Sequence, residues 1–301
     1  MSQVICKLPK AGLGNQLFPL MHAVVFAQIN NLPLIVIGYH QLKIGPYLRR
    51  EKSKRKYKGF FKFEKNIFFA FIDEIKVNNI LKNSQVVYEH SLIEIDPIEK
   101  EKKVFFFEKM PIGHNYFIHL KPHRNLVIKL LNELISEEHL KKSIAIPHSE
   151  IGVHIRMGDF RKLDVGEEFK GGPVRTPEIY FIDIINGIRN LIGNEIKVNV
   201  FTNGYKNEFE TIFNLKNIEM VEGNNDLVDM LLLSKSKIIV ISTGSTFSYW
   251  AAFLSNAPII MHPDHIHARI RDLDKKDNIF EGCYEDAIGW LKLMNDEKRN
   301  S

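Results

Sequence analysis

Residues Ile238 to Leu254, IIVISTGSTFSYWAAFL, decide how this chain folds. Ile238–Ile241 is an unbroken apolar run, the pattern of a strand covered on both faces. Ser242-Thr243-Gly244 interrupts it, and the apolar spacing then lengthens. Phe247, Trp250, Ala251 and Leu254 stand at i, i+3, i+4 and i+7, one face of a helix. Ser245 or Thr246 occupies the N-cap position. The string therefore predicts a strand, a hydroxyl-rich turn and a helix start. Unpaired amides and the positive end of the helix dipole converge on that turn, and serine and threonine hydroxyls add donors for phosphate oxygens. An ordinary capped helix after a core strand has the same pattern, so the surrounding chain must decide between an anion site and plain structure.

Working outward, Leu227–Ser234 reads as a helix feeding this strand, preceded by the polar loop EGNND at Glu222–Asp226. Lys197–Phe201 reads as another strand, closed by Thr202-Asn203-Gly204. Thr176-Pro177 is an N-cap followed by proline at the first helical position and opens a helix to about Leu191. Further upstream, Ile151, Val153 and Ile155 alternate with Gly152, His154 and Arg156, which places His154 and Arg156 on one face of a strand. Met157-Gly158-Asp159 ends it at the carboxyl edge, where open α/β sheets bind ligands. Three strand ends thus bring polar groups to one edge: His154, Arg156 and Asp159; Thr202 and Asn203; and Ser242 to Thr246.

The first residues have the same rhythm. Val4–Leu8 is a strand, Pro9–Gly14 a glycine-bearing loop, Asn15 to Asn30 a helix and Leu34–Ile37 a second strand, a βαβ opening that predicts a parallel sheet. Gly12-Leu13-Gly14 lacks the third small residue of a dinucleotide fingerprint, because Leu17 stands there. No acid ends the second strand, so NAD is disfavoured. Between Lys43 and Lys142 the pattern blurs, with a strand at Val104–Phe107 and a helix at Asn125–Leu140. Ser143–Ser149, with Pro147, reads as the linker between a domain at 1–146 and a domain at 147–301.

With 301 residues, 45% hydrophobic and 26% charged, the composition is that of a globular protein with room for two cores. No apolar run approaches the roughly 20 residues of a membrane span, and MSQVICKLPKAG lacks the apolar core of a signal peptide. Cys6 and Cys283 offer neither a disulfide framework nor metal spacing. The expectation is a reduced, cytoplasmic enzyme. A net charge of +5 is concentrated in RREKSKRKYK, Arg49–Lys58, where seven basic residues face one acid. Such a run is a solvated surface, or it meets an anionic membrane or a phosphate-bearing acceptor. No nucleic-acid signature accompanies it.

Four motifs then occur in order: AGLGNQLF at 11–18, GVHIRMGDF at 152–160, FTNG at 201–204 and GSTFSYWAAFL at 244–254. Together they resemble the family 11 glycosyltransferases, the α-1,2-fucosyltransferases. The resemblance implies an α/β fold of GT-B type: two Rossmann-like domains facing a cleft, with GDP-fucose bound by the C-terminal one. It also implies inversion at the sugar and no metal or other cofactor. Arg156 would contact the GDP phosphates, with His154 beneath the nucleotide. Ser245 and Thr246 would approach the diphosphate, supported by Gly244 and Phe247, and Thr202 and Asn203 would border it. Asp226, ahead of Glu222, would take the guanine amino group. Gly12, Gly14, Asn15 and Gln16 would line the cleft from the N-terminal domain, Asn15 joining Arg156 as catalytic. The acceptor would be a glycan hydroxyl, galactose O2 above others. The basic run Arg49–Lys58, separately from the resemblance, suggests an acceptor carried on a polyisoprenyl diphosphate, with the enzyme peripheral at the inner membrane face.

The family pattern has two adjacent arginines, and the second position here is Met157, which cannot donate to phosphate. Arg161 and Arg175 are the nearby replacements. Asp159 orients Arg156 or caps the turn. His40, Asp73, Glu74 and Asp96 are unranked candidates for a base. Asp272-Leu273-Asp274 reads as solvated surface in the charged string RIRDLDKKDN. His262, His265 and His267 read as cleft-lining or turn residues at a strand end rather than as metal ligands.

Overall fold

A computed structural model of the chain describes residues 2–93, 103–111, 113–193, 195–265, 267–272 and 279–299. It divides into two units. The first comprises residues 1–43 and 55–141, the second residues 44–54 and 142–301.

The first unit begins with β1 (Gln3–Lys7), α1 (Leu13–Asn30) and β2 (Leu34–Ile37). The chain then visits the second unit through the short helix α2 (Gly45–Leu48) and returns to form α3 (Ile67–Lys82), β3 (Gln85–Tyr88) and β4 (Lys103–Phe107). The four strands are parallel in the order β2-β1-β4-β3. Val4, Ile5 and Cys6 are fully buried, as a central strand covered on both faces requires. Phe26 of α1 lies 4.8 Å from Phe105 and 5.5 Å from Phe107, ring centre to ring centre, which fixes the helix across the sheet.

The helix expected over 125–140 is two helices, α4 (Arg124–Leu134) and α5 (Glu137–Ala145). Residues 59–62 break it from outside. Ser136 donates its amide to the Phe60 carbonyl and its hydroxyl to the Gly59 carbonyl, while Lys62 donates to the Leu134 carbonyl. These bonds hold Ile135 extended. α5 also runs to Ala145, into the segment expected as linker.

The second unit carries β5 (Ile151–Ile155), α6 (Glu178–Ile192), β6 (Val198–Thr202), α7 (Glu210–Phe213), β7 (Ile218–Met220) and α8 (Asp226–Ser234). β8 (Ile238–Val240), α9 (Thr246–Leu254), β9 (Ile259–Ile260), β10 (Glu281–Gly282) and α10 (Tyr284–Arg299) follow. Six parallel strands run in the order β10-β9-β8-β5-β6-β7. Ile151, Val153, Val198, Val200, Ile238 and Val240 pack with Phe181, Ile185 and Ile188 of α6 into one core.

The expected boundary at 146/147 shifts for two reasons. Lys142 donates to the Gly223 carbonyl at 2.7 Å, and Lys235 donates to the Ser143 carbonyl at 3.0 Å, so the end of α5 belongs to the second unit. Residues 44–54 belong there too. Glu51 is buried and paired with Arg49 at 2.6 Å, Lys52 pairs with Glu222 at 2.7 Å, and Ser53 donates to Asp226 at 2.9 Å. Two of the seven basic residues of the run, Arg49 and Lys52, are thereby paired with acids of the second unit.

RIRDLDKKDN is also corrected in part. Arg271 is only 1% exposed, paired with the equally buried Glu281, and it donates to the carbonyls of Ser255, Ala257 and Phe280. A buried guanidinium survives because nearly every N–H finds an acceptor. Asp272 is exposed, and Leu273 and Asp274 lie outside the described residues, as does Asp96.

Gly152 lies where β5 is closely covered by Leu233 and Ser236. A Cβ there would overlap the Ser236 hydroxyl and fall 2.9 Å from a Leu233 methyl. Gly152→Ala is expected to lower stability by roughly 1–3 kcal/mol, the usual cost of overpacking. Ser236→Gly in the same chain should restore part of the loss in urea unfolding.

Candidate functional site

β8, β5 and β6 are adjacent and parallel, so their carboxyl ends open on one edge of the second sheet. Ser242, fully buried, joins two of these ends. Its hydroxyl donates to the His154 carbonyl at 2.8 Å and accepts the Arg156 amide at 2.9 Å. Asn203 joins the third, its side-chain oxygen accepting the Met157 amide at 2.9 Å. The Thr202 hydroxyl accepts the Gly204 amide at 3.0 Å and tightens the same turn. The expected convergence of three strand ends is therefore built by side chain to main chain bonds.

Thr176 does not cap its helix. α6 starts at Glu178, and the Thr176 hydroxyl accepts the Thr243 amide at 3.2 Å, bracing the turn after β8. Gly244 adopts φ +69°, and a Cβ there would meet the Gly172 carbonyl at 2.7 Å. Both the backbone conformation and the space require glycine. Its amide donates to the Tyr249 hydroxyl at 2.6 Å. Ser245 is the N-cap of α9, and its side chain makes no capping bond. The first-turn amides of α9 have no acceptor within the helix, which gives this turn the character of an anion cradle.

Arg156 lies at the same edge, its guanidinium donating to Asp159 at 2.6 Å and standing 5.4 Å from the Phe160 ring centre. Its side chain keeps 18% exposure, enough to meet a ligand. Asp159 thus orients Arg156, the simpler of its two readings. His154 is buried, and its ring stacks on Phe247 at 4.8 Å. Burial, aided by the Arg156 charge, lowers its pKa to about 3. The imidazole is therefore neutral at physiological pH and brings no positive charge to an anion. It braces the first turn of α9 from below.

The position of the second arginine faces inward. Met157 is buried in the core with Ile151, Val153 and Ile155 and packs against Gly204. The period-two alternation Ile151, Val153, Ile155, Met157 carries this signal in the sequence. The two proposed replacements are already paired, Arg175 with Glu208 at 3.1 Å and the exposed Arg161 with Glu167. Arg175 also donates to the Phe160 carbonyl at 3.0 Å, holding the loop behind Arg156.

Asp226 opens α8 and accepts from Ser53 through both oxygens, at 2.9 and 3.3 Å. A carboxylate offers about four acceptor positions, so further donors can be accommodated. Sequence reasoning missed Ser53 and Lys52, which come from far along the chain with no local pattern to mark them. In the first unit, Gly12 is the N-cap of α1 and Gly14 and Asn15 lie in its first turn. Gln16 is buried and donates to the Pro9 carbonyl at 2.9 Å and to Gln41 at 3.2 Å, so its amide holds the loop. His40 donates to the Lys65 carbonyl, and Asp73 pairs with Lys65 at 2.6 Å. His265 and His267 pack edge-on against Tyr249, and His262 lies 4.8 Å from the Tyr180 ring. His265 and His267 thus pack on the tyrosine whose hydroxyl accepts the Gly244 amide.

Residues 10–269 match glycosyl transferase family 11. The chain belongs to that family. An α-1,2-colitosyltransferase of Escherichia coli is 32% identical over 151 residues, 48% of this chain and 49% of that protein. The chain therefore aligns with about half the length of this curated relative. Among solved structures, the fucosyltransferase NodZ from Bradyrhizobium is 13% identical over 88% of this chain and 97% of its own, with a TM-score of 0.49. An Arabidopsis thaliana FUT1 variant in complex with GDP is 15% identical over 87% and 70%, with a TM-score of 0.45. The fold of this family 11 member rests on its own topology, two parallel-sheet α/β units of the kind that make up GT-B transferases.

Asp229, one turn into α8, is half-buried beside Asp226, and burial raises its pKa to about 7 despite a bond from Asn224. Between the unfolded value near 4 and about 7 the folded state binds the extra proton, so stability falls as pH rises through that window. Asp229→Asn should remove this slope. Thermal melts at pH 5.5 and 8.5 should differ less for the variant than for the parent.

Proposed function

We propose that this chain is an inverting glycosyltransferase that moves fucose from GDP-fucose to a glycan hydroxyl, galactose O2 being the favoured position, without a metal ion. The observation that carries the reading is the junction at Ser242. One hydroxyl ties the Arg156 amide to the turn that leads into α9, so a permanent cation and a cradle of helix-start amides share one sheet edge. Departure of GDP places growing negative charge on the bridging oxygen. Preorganised donors at that position stabilise the transition state more than the ground state.

In this reading Arg156 supplies the planar fork that grips the diphosphate, and Asp159 keeps it aimed. The amides at Ser245 and Thr246, set by Gly244 and packed on Phe247 and His154, take the other oxygens. Asn203 and Thr202 fix the neighbouring turn. Asp226, held by Ser53, accepts from the guanine N–H groups. Gly12, Gly14 and Asn15, with Gln16 holding their loop, are assigned to the acceptor side. The acceptor is proposed as a glycan on a polyisoprenyl diphosphate presented at the inner face of a membrane, consistent with a net charge of +5.

A second donor is favoured by a specific observation, the similarity to an α-1,2-colitosyltransferase. Colitose is fucose without its 3-hydroxyl, so the same diphosphate site would serve either GDP-sugar. Which donor is used depends on whether a buried polar group awaits that hydroxyl, since an unpaired partner discriminates far more strongly than a lost contact.

Arg156→Ala is expected to lose roughly two to three orders of magnitude in turnover, as when one oxyanion donor is removed, and Arg156→Lys to recover only part. Calorimetry should give binding of GDP and none of UDP or ADP, and EDTA should leave transfer unchanged. Near-normal turnover of Arg156→Ala, or a preference for UDP, overturns the assignment.

A further inference from the structure

α3 is apolar on both sides. Its inner face seats Ala70 and Val77 on the first sheet, with Val77 packed among Ile5, Ile37, Val104 and Phe106, and with Ile80 and Leu81 at the margin. The opposite face carries Phe68, Phe71, Ile72 and Ile75, again at i, i+3, i+4 and i+7. Phe68 is 65% exposed, Phe71 61% and Ile75 46%, with Ile67 and Phe69 exposed at the helix start. A helix covering a core on one side alone would be polar here. Nothing in the packing of the first sheet requires three phenylalanines in the first five residues of α3.

The charges around this stripe have one sign outward. Lys76 and Lys82 are exposed, while Asp73 and Glu74 lie half-buried toward the sheet side and Asp73 is taken up by Lys65. Tyr39 and His40 bond to Lys65 at the entrance to α3, and Leu42, two residues further on, is 76% exposed. No helix among the described residues is long and apolar enough to cross a membrane. An apolar helical face rimmed by lysines has the chemistry of an element lying in the headgroup boundary of an anionic bilayer.

We infer that α3 is a membrane-docking helix, inserting Phe68, Phe71 and Ile75 among anionic lipids. A second copy of the chain is a poorer occupant. A single stripe of four side chains falls well short of the roughly 800 Å² per partner of a stable dimer. The inference is independent of the donor assignment. It moves the membrane contact from Arg49–Lys58, where Arg49 and Lys52 are engaged within the second unit, to the first.

The test is flotation of the full chain with phosphatidylcholine vesicles containing a quarter phosphatidylglycerol. The wild type should float with these vesicles and much less with pure phosphatidylcholine. The double variant Phe68→Ser/Phe71→Ser should lose about tenfold or more in partitioning, as expected when two buried rings are removed, with GDP binding unchanged by calorimetry. Should the double variant fold poorly, Phe68→Trp replaces it, and the emission of the introduced indole should shift blue and be quenched by brominated lipid. A wild type that stays at the bottom of the gradient overturns the inference. So does a double variant that floats equally, an indole emission in the Phe68→Trp variant that is indifferent to vesicles, or a lipid-free dimer that the same substitutions dissociate.

Discussion

The buried hydroxyl of Ser242 holds together the carboxyl edge of the second unit's sheet. Two parallel strands that end side by side leave main-chain groups without ladder partners, and such groups are costly when buried. Ser242 satisfies one from each side, the His154 carbonyl and the Arg156 amide. In doing so it fixes the point where β5 stops and the turn into α9 begins. The arginine and the helix start are thus set relative to each other by the backbone, independent of any long flexible side chain. That is the form of preorganisation that electrostatic stabilisation of a leaving group needs.

Around this junction the chain separates charge from structure. Arg156 is exposed enough to meet a ligand and is aimed by Asp159, whereas Arg175 is compensated by Glu208. Arg271 is wholly internal and satisfied by Glu281 and three carbonyls. His154 stays neutral because burial opposes its charged form and the neighbouring guanidinium adds to that penalty. Met157 follows the inward face of β5 into the core, packed with Ile151, Val153 and Ile155. The departure from the family's paired arginines is therefore matched by local packing.

The first unit obeys a different constraint. Its sheet is covered by α1 with a dense aromatic contact, yet α3 covers the same sheet with only part of its apolar surface. An exposed run of phenylalanines is the kind of surface patch that marks a meeting with a partner or a membrane. The basic segment 44–54 goes instead to the second unit, where Ser53 meets Asp226 at the start of α8 and Lys52 meets Glu222 in the loop before it.

By itself the sequence determined the βαβ opening, the strand ends at Arg156, Asn203 and Ser242, and the helix start at Thr246. All of these are written in local periodicity, which hydrogen bonding along a short stretch enforces. Periodicity even carried the inward turn of Met157. It could not resolve α3, whose apolar residues lie on both faces and blur any single period. Nor could it see the break at Ile135, made by residues 59–62, the assignment of 44–54 to the second unit, or the burial of Arg271. Those features depend on partners up to some 170 residues away, and only the folded chain brings such groups within reach of a hydrogen bond.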